Sequence, residues 1–178
     1  MLNAKFFAAA SAAVVALSCC HISQADAGGV IMLMDPEVQI ELKLDLTQTG
    51  SIDGLKQDFA RSDGLAEVKS HVASILKPEQ LQRLGELRIQ ALGTVSLGCE
   101  DVAITLALSE DQRVEVTKTL RSFYDEQELM SPEVLSEQTV AMTSKLKDVL
   151  WGVLSGSQQQ LLVQIAGEQS KLFEGVAR

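Results

Sequence analysis

The chain has 178 residues, 46% of them apolar but only 4% aromatic, and a formal net charge of −9. An apolar fraction built from Leu, Val, Ile and Ala suits packed helices and suits an all-β fold poorly, because strands also draw on aromatic residues. The acidic balance is spread along both halves, which excludes the basic footprint that nucleic-acid binding requires.

Residues 1–27 read as a secretory signal. Lys5 supplies the positive charge, Phe6 to Ser18 form a 13-residue apolar run, and Ala25-Asp26-Ala27 gives a small-x-small cleavage site. The run is shorter than the about 20 residues that a bilayer-spanning helix needs. A second address overlaps the first: Ala16-Leu17-Ser18-Cys19 loosely matches a bacterial lipobox, in which Cys19 is lipidated and becomes residue one. The two addresses imply a periplasmic or secreted protein and a membrane-anchored lipoprotein respectively, and an uncleaved anchor is a third option. All three export the chain.

The three prolines mark helix starts. Asp35-Pro36-Glu37, Lys77-Pro78-Glu79 and Ser131-Pro132-Glu133 each place proline at a first helical position, where its missing N–H costs nothing, and glutamate at the positive end of the helix dipole. In chain order the apolar spacing predicts a short helix from Pro36 to about Lys43. A second follows from Leu46 to about Ala60, weakened by Gly50 and Gly54, and then a turn at Ser62-Asp63-Gly64. A third carries Leu65, Val68, Val72, Ile75 and Leu76, and a fourth runs from Pro78 to near Gly93. The second half has a short helix at Asp101–Ala107 and long ones at Glu110 to Glu128 and Pro132 to Leu154. A last helix runs from Ser157 to about Phe173. No stretch reads as a strand.

Four helix starts share one pattern of leucine, a spacer, two further residues and glutamine. They are Leu44 with Gln48, Leu76 with Pro78 and Gln80, Leu108 with Ser109 and Gln112, and Leu154 with Ser155 and Gln158. Ser109 reads as an N-cap that accepts from the Gln112 N–H while the Gln112 side chain reaches back to the N–H of Ser109, forming a capping box. At a shift of 64 residues, Leu33, Val38, Ile40, Leu42, Leu44 and Gln48 fall on Leu97, Val102, Ile104, Leu106, Leu108 and Gln112. At a shift of 78, Ile75, Leu76 and Gln80 fall on Val153, Leu154 and Gln158. The chain therefore reads as an all-α fold of duplicated helical hairpins, an antiparallel bundle or bent cradle. Repeat 1 spans 33–96, repeat 2 spans 97–178 with the longer hairpin, and the two share one core.

These motifs in an exported helical chain resemble the LTxxQ-motif (Spy- and CpxP-like) family of small periplasmic proteins. Asp35-Pro36-Glu37-Val38 and Leu76-Lys77-Pro78-Glu79-Gln80 are more similar still to uncharacterised secreted bacterial proteins that duplicate the pattern. The resemblance implies a bent helical-hairpin fold, a homodimeric cradle, and the holding of unfolded chains without ATP or the adaptation of an envelope-stress sensor.

Past the cleavage site the chain holds one histidine, His71, and one cysteine, Cys99, with none of the spacings of a zinc site. No cofactor or metal is expected, although the acidic pairs Glu100-Asp101, Glu110-Asp111 and Asp125-Glu126 could hold a hard cation weakly. Cys99 falls at the N-cap position that Asp35 holds in the first half, and reads as a small buried residue or as the site of an intermolecular disulfide. No nucleophile, base and orienting group fall into register, so catalysis is not expected. The expectation is an exported, non-enzymatic helical protein that binds other polypeptides, chaperone-like or as an envelope-stress adaptor. The alternatives are a structural or oligomerisation subunit and a weak metal-binding sensor, with contact to a membrane only through a lipid anchor.

Overall fold

All three prolines open helices. Pro36 begins α1 (Pro36–Glu41), where Asp35 caps by accepting from the Glu37 N–H at 2.7 Å. Pro78 begins α4 (Pro78–Leu92) and Pro132 begins α7 (Pro132–Val153). The remaining helices are α2 (Leu46–Phe59), α3 (Leu65–Ile75), α5 (Glu100–Thr105), α6 (Glu110–Glu128) and α8 (Gly156–Ile165). Two 3-10 segments, Gly93–Gly98 and Lys171–Phe173, complete the order. The computed structural model describes residues 29–59 and 65–173, and among them there is no strand: the fold is all-α. The segment 1–27 expected to be a signal, with Cys19, and the turn expected at 62–64 lie outside the described residues. No helix among the described residues is long and apolar enough to cross a membrane.

Four of the six residue pairs matched at the 64-residue shift take the same environment. Leu33 and Leu97, Val38 and Val102, and Leu42 and Leu106 are all buried, whereas Ile40 and Ile104 both face solvent. Each of the short helices α1 and α5 ends in the same way. Lys43 and Ala107 adopt positive φ, 53° and 48°, just past the C-caps Leu42 and Leu106. Leu44 N–H then bonds Gln39 C=O at 3.1 Å, and Leu108 N–H bonds Ala103 C=O at 3.0 Å. This is the Schellman closure, which gives partners to carbonyls left over at a helix end. It also turns the following leucine toward the core, where Leu108 is buried and Leu44 packs at the edge.

Apolar side chains gather into two clusters. The first draws on α1 to α4, the helical turn at 29–32 and Phe173 from the far end of the chain. The second draws on α5 to α8, with Ile89 from α4. Helix α4 thus supplies Leu84 and Leu87 to one cluster and Ile89 to the other. Within the first half α2 packs on α3, and within the second α6 packs on the longer α7.

The fold departs from the sequence expectations at two places. The segment Gly93–Gly98 is helical in the 3-10 sense and packs against α4, α5, α6 and α7. Gly93 turns the chain at φ 57°, and the Ser96 hydroxyl, fully buried, donates to the Gly93 carbonyl at 2.6 Å. The Thr94 hydroxyl ties the segment to α7 through the Lys147 carbonyl at 3.1 Å. Helix α8 stops at Ile165, well before the expected Phe173. Gly167 at φ 67° reverses the backbone there, and the Glu86 carboxylate lies where any Cβ on residue 167 would stand.

Candidate functional site

The four motif glutamines meet in two pairs. Gln48 donates to the Gln80 side-chain oxygen at 2.8 Å, and Gln80 donates back to Gln48 at 3.2 Å. Gln112 and Gln158 form the second pair, at 2.8 and 3.1 Å. Each amide also serves its own helix start, because its oxygen accepts from the N-cap N–H. The donors are Asp45 at 3.1 Å, Lys77 at 2.9 Å, Ser109 at 2.9 Å and Ser155 at 2.9 Å.

The second amide N–H of each glutamine goes to a carbonyl at the end of another helix. Gln48 bonds Ile75 C=O at 2.9 Å and Gln80 bonds Leu42 C=O at 3.1 Å. In the second half, Gln112 bonds Val153 C=O at 2.8 Å and Gln158 bonds Leu106 C=O at 3.2 Å. A carboxamide has two donors and two acceptor positions, and all of them are engaged in each of the four glutamines. One clasp therefore fastens two helix starts and two helix ends. The motif leucines Leu76, Leu108 and Leu154 root the same points in the core.

Three of the four motif starts carry a side-chain cap. Ser109 Oγ accepts from Gln112 N–H at 3.2 Å, Ser155 Oγ from Gln158 N–H at 3.3 Å, and Asp45 from Gln48 N–H at 2.9 Å. Lys77 occupies the N-cap of α4 with no acceptor in its side chain, so there only the glutamine half of the box forms. The structure adds to the sequence reading by bringing the motifs together in space. Their spacing defines helix starts but carries no sign of which starts face each other.

Cys99 is the N-cap of α5, as its alignment with Asp35 indicates, and its thiol is fully buried and makes no capping bond. A disulfide to another chain would require the second cluster to open first. Burial and the nearby Cys99 push the Tyr124 hydroxyl above its ordinary pKa. Burial lowers that of Lys147 beside Gly93. His71 is exposed on α3.

Three arginines connect elements. Burial works against the charge of Arg83, but hydrogen bonds to Glu41 at 2.7 Å and Glu86 at 2.8 Å outweigh it and hold the guanidinium above its usual range. Arg88, buried on α4, pairs with Asp101 on α5. Arg113 bonds both carboxylate oxygens of Glu100, at 3.0 and 3.1 Å, and the Leu108 carbonyl at 3.3 Å.

What the arrangement offers chemically is therefore fastening by the polar groups and contact by the apolar ones. Large apolar side chains stand in solvent at Ile40 (75% exposed), Leu46 (93%), Leu129 (89%) and Val140 (81%). Comparison with models of protein families, with curated proteins and with solved structures finds no match for the chain.

Proposed function

We propose that this chain is an exported, non-enzymatic helical protein that binds other polypeptides through apolar helix faces. It would act chaperone-like or as an envelope-stress adaptor, in the manner of the LTxxQ-motif proteins it resembles. The observation that supports this reading is the exposure of Ile40 and Ile104 at matched positions of α1 and α5, with Leu46 and Val140 also in solvent. Large apolar side chains left in solvent at matched positions of the two halves are available for contact with another chain. The motif glutamines are engaged inside the fold, so the contacts fall to the surfaces between them.

The test is suppression of aggregation of a chemically denatured client at ratios up to equimolar. The wild-type chain should suppress it, and Ile40→Ser with Ile104→Ser should weaken suppression while leaving the melting temperature within a few degrees. A stable dimer without suppression would favour the second reading, a structural or oligomerisation subunit whose exposed residues meet their own copy. A gain in melting temperature with Zn²⁺ or Cu²⁺ that chelator reverses would favour the weak metal sensor.

A further inference from the structure

After α8 the chain returns across α4 as a strap that closes in the 3-10 turn Lys171–Phe173, and α4 holds it mainly by its backbone. The Gln90 carboxamide donates to the carbonyls of Ala166 at 2.6 Å and Glu168 at 2.7 Å, and accepts from the Ser170 N–H at 2.9 Å. Arg83 donates to the Glu168 carbonyl at 2.8 Å. All four bonds are to main-chain atoms, so they would hold any sequence that follows this path.

Side chains matter at three points of the strap. Gly167 combines a positive φ with the close approach of the Glu86 side chain, which would have to move to admit a Cβ. Ser170 is buried, its hydroxyl accepting from the Leu172 N–H at 3.2 Å. Phe173 is buried in the first apolar cluster. Main-chain bonds for affinity and a few side-chain pockets for selection are the chemistry of peptide recognition.

We infer that this face of α4 is a peptide-binding face whose resident ligand is the chain's own strap. In the strap's place it takes a segment of a client polypeptide with glycine followed six residues later by an aromatic. The inference rests on the polypeptide-binding reading above and adds to the exposed apolar residues named there a second, selective seat for a client segment. The strap is tethered, so its effective concentration is high and weak competitors are kept out. Clients enter when the strap is released or when they match it well.

A labelled peptide with the sequence of residues 165–173 tests this by fluorescence anisotropy against the full chain. In the variant Gly167→Val the chain's own strap is disabled, because a β-branched residue at positive φ is strongly disfavoured. The face on α4 is left untouched. The peptide should bind this variant at least tenfold more tightly than it binds wild type. Adding Gln90→Ala, or replacing the glycine in the peptide by valine, should remove that gain.

Equal binding to a variant with native helical circular dichroism would overturn the inference. So would collapse of the whole fold in Gly167→Val, which would make the strap an inseparable part of the core. Strap exchange that produces dimers of the wild-type chain would reassign the face to a second copy and overturn the client assignment. Peptide binding without any suppression of client aggregation would instead dispose of the chaperone-like reading and leave the strap face in place.

Discussion

Gln48 and Gln80, 32 residues apart, hold each other through both of their amides, at 2.8 Å in one direction and 3.2 Å in the other. Both are buried, at 7% exposure, whereas Gln112 and Gln158 of the equivalent pair are partly open to solvent. Removing one member strands a donor and an acceptor of its partner, together with a helix-end carbonyl and an N-cap N–H. Gln80→Ala should therefore cost about 2–3 kcal/mol and Gln158→Ala about 1–2 kcal/mol, because water can replace part of what the second loses. Urea unfolding of the two variants checks the order, and a double-mutant cycle of Gln48 with Gln80 should return a coupling of about 1 kcal/mol or more.

A charged replacement makes the clasp pH-dependent. In Gln80→Glu the ionised carboxylate cannot donate to the Leu42 carbonyl or to Gln48, while the protonated form can donate once. Burial and that bond favour the neutral form, so the folded pKa lies above the unfolded one. The variant is then most stable below the unfolded pKa, about 4.3, and loses stability as pH rises through the folded value. Melting temperatures that rise from pH 7 to pH 4 relative to wild type are expected, and a flat difference would count against the geometry of the clasp.

Among the four motif helix starts, the N-cap of α4 is the weak one. Lys77 has no acceptor for the free N–H groups of the first turn, whereas Asp35 before Pro36 caps with its carboxylate. Lys77→Asp should stabilise the chain by about 0.5–1 kcal/mol, and Ser109→Ala should destabilise it by about 1 kcal/mol. Thermal melts of the two variants should move in opposite directions.

Ala107, at φ 48° past the end of α5, sits where a side chain is disfavoured. Ala107→Gly should relieve that strain and stabilise by up to about 1 kcal/mol, against the usual cost of adding a glycine. Denaturant midpoints decide the sign.

Tyr124 contributes to the alkaline limb of stability. Its folded pKa is raised by burial and by Cys99, so above about pH 10 the unfolded chain ionises first and stability falls as pH rises. The contribution is fully present below that pH. Tyr124→Phe should flatten the alkaline limb of a stability–pH profile. At neutral pH the buried Cys99 thiol should react with a soluble disulfide reagent only at the rate of unfolding.

What the sequence made legible was local. Proline at N1, the Ser109–Gln112 box and the apolar stripes lie within a few residues of what they control, and the corresponding helices form nearly where expected. What it hid was either long-range or unusual. Nothing within Leu44–Gln48 points to Gln80, because the pairing follows from how α2 and α4 begin side by side. The pattern Leu161, Leu162, Ile165, Leu172 continues as a helix on paper, but Gly167 breaks it where Gln90, 76 residues before Ala166, grips the backbone. Neither Lys43 nor Ala107 is a glycine, so their left-handed turns carry no compositional signal.

The partners of Gln90 also impose an order in time. The first glutamine clasp can close once residue 80 is made and the second once residue 158 is made. Gln90 finds its last partner only at Ser170. At about 5–20 residues per second of synthesis, the interval between completing α4 and supplying Phe173 lasts about 4–16 s. During that interval the first cluster lacks its aromatic plug and α4 lacks its cover. A nascent chain halted there exposes a finished helix with an empty apolar seat, the state in which it is most open to capture by another molecule and to aggregation.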